Sequence, residues 1–185
     1  MNYRVATSLT PEVLQKIVPR LDDGKAQEVA EALTPAMEWA DISTPTRLAA
    51  FIAQVAHESG GFRYMRELGP DSYFDRYEGR EDLGNTEPGD GLRFKGRGYI
   101  QITGRDNYTQ AGADLELDLV NQPEMAETPQ VAAYIAAWFW NNRNLNRFAD
   151  SGDFITLTRR INGGLNGLAE RQAYWARAKE ALGAA

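Results

Sequence analysis

Apolar residues recur along most of this chain with the period of an α-helix, and the pattern lapses over one long polar interval. After Thr44-Pro45, the residues Leu48, Phe51, Ile52 and Val55 fall at i, i+3, i+4 and i+7, one face of a helix that Gly60-Gly61 end. Thr44 offers an N-cap oxygen, and Pro45 suits the first helical position, where a missing N–H costs nothing. Thr10-Pro11-Glu12 give the same start signal to a short helix through Val13, Leu14 and Ile17 that Pro19 stops. A second pattern runs from about Lys25 to Trp39 through Val29, Leu33, Ala36 and Met37, with Pro35 as a kink or break. In the C-terminal half, Thr128-Pro129 open a helix carrying Val131, Tyr134, Ile135, Trp138 and Phe139. Phe154, Leu157 and Ile161 mark another, stopped by Gly163-Gly164, and residues 168–182 the last.

Between these lies a stretch, residues 66–98, rich in Gly, Pro, Asp and Asn and without periodicity. It predicts a long surface excursion with short helical turns, the kind of loop that commonly carries function. "GYIQIT", residues 98–103, sets β-branched and aromatic residues between glycines and predicts a short strand. Neither repeats nor linkers divide the chain, and 185 residues with 43% apolar content suffice for one buried core. A single catalytic domain over residues 1–185 is expected, with residues 1–43 as helices packing on one lobe.

Composition then removes several functions. Net charge is −6, and the 20 Lys and Arg residues are scattered, which argues against nucleic-acid binding. No run approaches the ~20 apolar residues that span a bilayer, and the N-terminal "MNYRVATSLTPEVL" lacks the basic and apolar regions of a secretion signal. A soluble chain that starts in the cytoplasm is expected. Zero cysteines exclude a disulfide framework and a thiolate site.

The only histidine, His57, stands beside Glu58 in "AHESGGF". A zinc-protease HExxH needs a second imidazole, and position 61 is Gly, so no metal site is expected. No GxSxG pentapeptide supports a serine hydrolase. What remains is carboxylates. Glu58 lies three residues beyond Val55 and seven beyond Phe51, on the apolar stripe at the helix's C-terminal end. Partial burial and the negative end of the helix dipole both favour its protonated form, as a general acid requires. The plainer reading is a half-buried glutamate bonded to a backbone amide. Glu67, nine residues on in "MRELG", follows the glycine break and can fold back toward the helix end; taken singly it reads as a solvated acid. Two carboxylates across a cleft are the minimum for glycoside hydrolysis.

In "FKGRGYIQITGRDNY", residues 94–108, a strand period places Gln101 and Thr103 on one face, where polar groups suit sugar hydroxyls or a water. An ordinary glycine-rich turn is the alternative. In "RRINGGLNGLAERQAYW", Asn162 reads alone as a helix cap. Arg171, near catalytic acids, is expected to hold the base ionised while the buried acid keeps its proton.

Together "AHESGGF", Arg66-Glu67, "GDGLRFKGRGYIQITGRDNY" and "RRINGGLNGLAERQAYW" resemble the ordered signature of glycoside hydrolase family 19, nearer its bacteriophage endolysin branch than the plant chitinases. The likeness covers about residues 45–182. It implies a mainly α, lysozyme-like, two-lobed helical fold with a small extended element and a long cleft. By the resemblance, Glu58 is the general acid, Glu67 the general base acting by inversion, and Thr103 the residue that positions water. Gln101 and Asn107 bind sugar, His57, Asn162 and Arg171 form the supporting polar network, and Tyr99 stands at the cleft wall. It further implies a monomer without cofactor that acts on peptidoglycan glycan strands. That endolysin would cut the β-1,4 bond between N-acetylmuramic acid and N-acetylglucosamine, and would wait in the host bacterial cytoplasm for a holin-type release. The alternative is a chitinase on unsubstituted N-acetylglucosamine polymers. Plant members space the two glutamates more widely and carry disulfides, both absent here.

Overall fold

The structure, a computed structural model, describes residues 9–185, so the N-terminal reading of residues 1–8 lies outside the described residues. Nine α-helices are present among them: α1 (Pro11–Ile17), α2 (Asp23–Trp39), α3 (Pro45–Glu58), α4 (Asp90–Arg93), α5 (Arg105–Leu115), α6 (Pro129–Asn142), α7 (Asn146–Asp150), α8 (Phe154–Asn162) and α9 (Leu168–Leu182). The start signals act as read. Thr10 Oγ1 accepts from Val13 N–H and Thr44 Oγ1 from Arg47 N–H, each at 3.2 Å. Pro35 does not break α2, which runs through it, and Thr34 Oγ1 donates to the Ala30 carbonyl at 2.7 Å within the same turn.

Helix α3 is buried all round rather than on one stripe: every residue from Leu48 to Ala56 is inside. Ala49, Ala50, Ala53 and Ala56 leave room for α9 and its neighbours to approach closely, and Phe51 meets Trp140 edge-on at 5.3 Å. Around it lies the larger apolar cluster, built from α1, α2, α3, α6 and the loops beside them, with α9 packed against it. A smaller cluster gathers Phe94, Ile102, Tyr108, Leu119 and Trp138. Helix α6 serves both, turning Ala132, Ala133, Ala136, Ala137 and Trp140 to the first and Ile135 and Trp138 to the second. A helix apolar all round has to be covered all round, and that is how the two lobes are joined.

The long polar interval folds as a surface excursion with short 3₁₀ turns at Asp71–Tyr77 and Glu81–Leu83, followed by α4. The expected strand at 98–103 is absent. Isolated bridges pair Arg97 with Arg66 and with Ile102, and between them the chain turns sharply, with Gly98 at φ +81° and Gln101 at φ +55°. Two residues in the left-handed region reverse the chain within four positions, so the β-favouring side chains cannot extend.

Candidate active site

Helix α3 ends at His57 and Glu58, and the reversal after it is built locally. Ser59 Oγ donates to the Val55 carbonyl at 2.7 Å and accepts from Phe62 N–H at 2.8 Å, while Gly60, Gly61 and Phe62 all take positive φ. This doubles the chain back. Glu67 then pairs with the segment after α4, its N–H donating to the Gly96 carbonyl at 2.8 Å.

Glu58 sits at the core's edge, as expected, with its side chain 24% exposed and Phe51, Val55, Ile100, Phe139 and Ile161 around it. Arg171 stands against it rather than against Glu67, which corrects the sequence expectation. Its Nη2 lies 2.5 Å from Glu58 Oε1 in an ionic contact not aligned for a hydrogen bond. The other guanidinium nitrogens are held: Nη1 donates to Gln54 Oε1 at 2.6 Å and Nε to the Asn166 carbonyl at 3.0 Å. Gln54 in turn donates to Thr158 Oγ1 at 2.9 Å. Arg171 is 1% exposed, so this network satisfies a buried cation that would otherwise be costly.

His57 joins the same end of the helix. Its Nδ1 is 3.4 Å from Glu170 Oε2, and the imidazole packs closely against Gly167, where a Cβ would come within 2.2 Å of Cε1. Asn162, the last residue of α8, accepts from Asn166 N–H through Oδ1 at 3.2 Å and so braces the loop that covers His57.

Glu67 has different company. Tyr77 donates its phenol O–H to Oε1 at 2.9 Å, and Gly96 N–H reaches Oε2 at 3.4 Å. Burial, then the hydrogen bond and charge of Glu67, push the Tyr77 phenol above its ordinary value, so it stays a donor at neutral pH. Gly96 is where three side chains meet. A Cβ there would stand 3.0 Å from Gln101 Oε1, 3.2 Å from Glu67 Oε2 and 3.3 Å from Thr103 Oγ1. Gln101 and Thr103 therefore do converge, through a turn instead of a strand face. Asn107, exposed, donates to the Thr103 carbonyl at 2.8 Å.

Tyr99 is placed differently from the sequence expectation. It is 1% exposed, packs edge-on against Phe62 at 5.5 Å and belongs to the core, not to a cleft wall. Burial raises its phenol well above the ordinary range. Sequence reasoning passed over Gln54, Tyr77, Gly96 and Glu170. Gln54 alone carried a signal, a polar residue in the middle of an apolar helix.

The sequence matches the family model described as chitinase class I, glycoside hydrolase family 19, over residues 29–160. The chain belongs to glycoside hydrolase family 19. A Haemophilus influenzae protein with a family 19 domain is 33% identical over 89% of this chain, which spans 93% of that protein. An Arabidopsis thaliana endochitinase is 35% identical over 86% of the chain; here the chain spans just over half of the relative's length, 57%. Among solved structures, chitinase C from Streptomyces griseus superposes with a TM-score of 0.78 over 99% of this chain and 96% of its own, at 24% identity, a likeness of fold. A class IV family 19 chitinase from Zea mays gives 0.68 at 26% identity, covering 93% and 91%. The helical, lysozyme-like family 19 fold is thus the one described above. The match to the family model ends before Asn162 and Arg171, whose placement rests on the structure itself.

Proposed function

We propose that this chain is an inverting peptidoglycan glycosidase that cuts the β-1,4 bond between N-acetylmuramic acid and N-acetylglucosamine, with Glu58 as general acid and Glu67 as general base. One observation carries the chemical part: the three oxygens that converge at Gly96. Thr103 Oγ1 donates to the Gln101 carbonyl at 3.0 Å and the Gln101 amide donates to the Gly98 carbonyl at 2.8 Å, so each keeps an accepting oxygen toward that point. A water bridging these oxygens gives one hydrogen to Glu67 and another to a neutral oxygen. Its lone pair is left to attack the anomeric carbon as Glu67 takes the proton.

Glu58 protonates the leaving oxygen. The Arg171 guanidinium, fixed beside it, stabilises the carboxylate that proton transfer leaves behind. Gln54 and the Asn166 carbonyl hold the guanidinium in place, and His57 with Glu170 buttresses the helix end. We read residues 44–182 as the catalytic unit and α1 and α2 as packing elements of the same domain. Peptidoglycan as substrate is supported by the close sequence spacing of the two glutamates and by the absence of cysteine, which suits an enzyme made in a reducing bacterial cytoplasm and released at lysis. A chitinase is the second reading, favoured by the names of the plant and Streptomyces relatives.

Digestion of purified peptidoglycan beside soluble chitin oligomers, with mass analysis of the new reducing ends, separates the two. Muramic acid at the new ends supports the first reading; cleavage of chitin alone replaces it with the second. Glu58→Gln should lower cleavage by orders of magnitude while binding persists, and equal turnover by that variant removes Glu58 from the acid's role.

A further inference from the structure

A cavity of about 750 Å³ lies behind the end of α3, walled by the turn between α1 and α2, by residues 60–64 and by one face of α9. Residues 60–64 lie between Glu58 and Glu67 in the chain, so the segment that links the two glutamates forms one wall of the cavity. Its charge runs against that of the molecule. Arg20, Lys25, Arg63 and Arg177 line it against Asp22 and Glu170, within a chain of net charge −6.

Both acids have a neighbour of their own. Asp22 Oδ1 caps α2 by accepting from Lys25 N–H at 2.8 Å, and Glu170 faces His57. Two of the cations are also engaged: Lys25 pairs with Glu28 at 2.5 Å, and Arg177 Nε donates to the Ile17 carbonyl at 2.8 Å. Arg20 and Arg63 have neither an ion pair nor a side-chain hydrogen bond among the described residues, and both are exposed. Two guanidinium forks without an acidic partner, Arg63 lying over the Tyr64 ring at 5.9 Å, thus border a concave surface lined by Tyr64 and Tyr174. Planar forks match carboxylates two bonds at a time, and the rings suit aliphatic peptide carbons.

We propose that this cavity is a subsite for the acidic peptide carried by the glycan, with Arg20 and Arg63 clamping its carboxylates. The proposal rests on the peptidoglycan reading above. It also gives an acidic enzyme a local means of holding an anionic polymer. An unsubstituted glycan offers nothing for the two arginines to bind.

The test uses the full chain and the double variant Arg20→Gln/Arg63→Gln, both surface changes, with circular dichroism to verify folding. The substrates are peptide-bearing peptidoglycan, the same glycan stripped of peptide by an amidase, and chitin oligomers. The expected result is a KM at least tenfold higher on peptide-bearing glycan and within twofold of wild type on the other two. In parallel, calorimetry or NMR titration with a soluble acidic stem tripeptide should show binding to the wild type that the double variant loses. Equal effects on bare and peptide-bearing glycan, or no tripeptide binding by the wild type, overturn the proposal. So does tighter binding of inorganic phosphate than of the tripeptide, which would mark a phosphate-polymer site. A chain that cleaves chitin and neither form of peptidoglycan defeats the peptidoglycan reading, while the tripeptide titration still decides the cavity's role.

Discussion

The buried guanidinium of Arg171 stands 2.5 Å from the Glu58 carboxylate, 113 positions earlier in the chain, and ties the last helix to the end of α3. The pair is asymmetric: Arg171 is 1% exposed, whereas the Glu58 side chain keeps 24% of its surface. A buried cation needs its counter-charge more than a half-open carboxylate does. Substitutions at the two positions therefore separate chemistry from folding.

Glu58→Gln keeps the shape of the side chain but removes the proton that the acid donates and the group that can carry a counter-charge to Arg171. Cleavage should fall by about 10²–10⁴-fold, the range a general acid supplies. Stability should fall too, by about 1–3 kcal/mol, less than for a fully buried pair because Glu58 is partly solvated. That corresponds to a melting temperature roughly 3–10 °C lower for a chain of this size. Calorimetry of the variant at neutral pH checks it; an unchanged melting temperature would show that Arg171 is held by Gln54 and Asn166 alone.

Gly96→Ala tests the convergence at the second glutamate. The added methyl would meet three oxygens at 3.0–3.3 Å, closer than ordinary carbon–oxygen contact, and would push apart the groups proposed to hold the water. We expect kcat to drop at least tenfold with KM little changed, and about 1–3 kcal/mol of lost stability from overpacking. Steady-state kinetics on a soluble oligosaccharide give both numbers. A variant with wild-type kcat would move the water elsewhere.

Tyr77→Phe removes the phenol that donates to Glu67 at 2.9 Å and leaves the ring in place. The lost hydrogen bond to a charged group is worth about 1.5–3 kcal/mol, which bounds the loss in kcat at roughly 10–150-fold. Burial and Glu67 hold the phenol protonated through neutral pH, so the wild type should gain nothing from titration of Tyr77 below pH 10. Rate profiles of both proteins between pH 5 and 9 should differ in height without a Tyr77 inflection in either.

How far the sequence carried depended on whether a feature was local. The Thr-Pro starts at α1 and α3 and the glycine stop after α8 were readable because capping is decided within four residues. Glu58 at the core's edge followed from helical spacing. The strand at 98–103 misled because β-branched composition cannot report that Gln101 adopts positive φ. Tyr99 as a wall residue came from the family resemblance alone; its ring packs instead on Phe62, 37 positions away, a contact no local pattern encodes. Arg171 was found, but its partner was misassigned, because the choice between Glu58 and Glu67 is made by α9 lying along α3.

Outside the site, Asp90 and Arg105 give the fold a pH dependence whose sign can be worked out. Asp90 is 1% exposed and receives Arg105 Nε at 2.8 Å and Nη2 at 2.7 Å, joining α4 to the first turn of α5. The hydrogen bonds from Arg105 hold the carboxyl below its ordinary value of 3.8, with burial acting in the opposite direction. A depressed folded pKa means that the unfolded chain takes up the proton first. The stabilisation is thus complete above about pH 4 and is lost as pH falls through the lower folded value. Arg105→Ala should cost about 3–5 kcal/mol at neutral pH, since it leaves a buried carboxylate with only the Glu87 N–H at 3.1 Å. Asp90→Asn should instead flatten the stability curve below pH 4 relative to the wild type. Urea unfolding at several pH values from 2.5 to 7 measures both. Parallel curves for wild type and Asp90→Asn across the acid range would show that the pair contributes no proton linkage, and that the acid sensitivity of the fold lies in other carboxylates such as Asp150, which Arg47 binds at 2.8 and 2.7 Å.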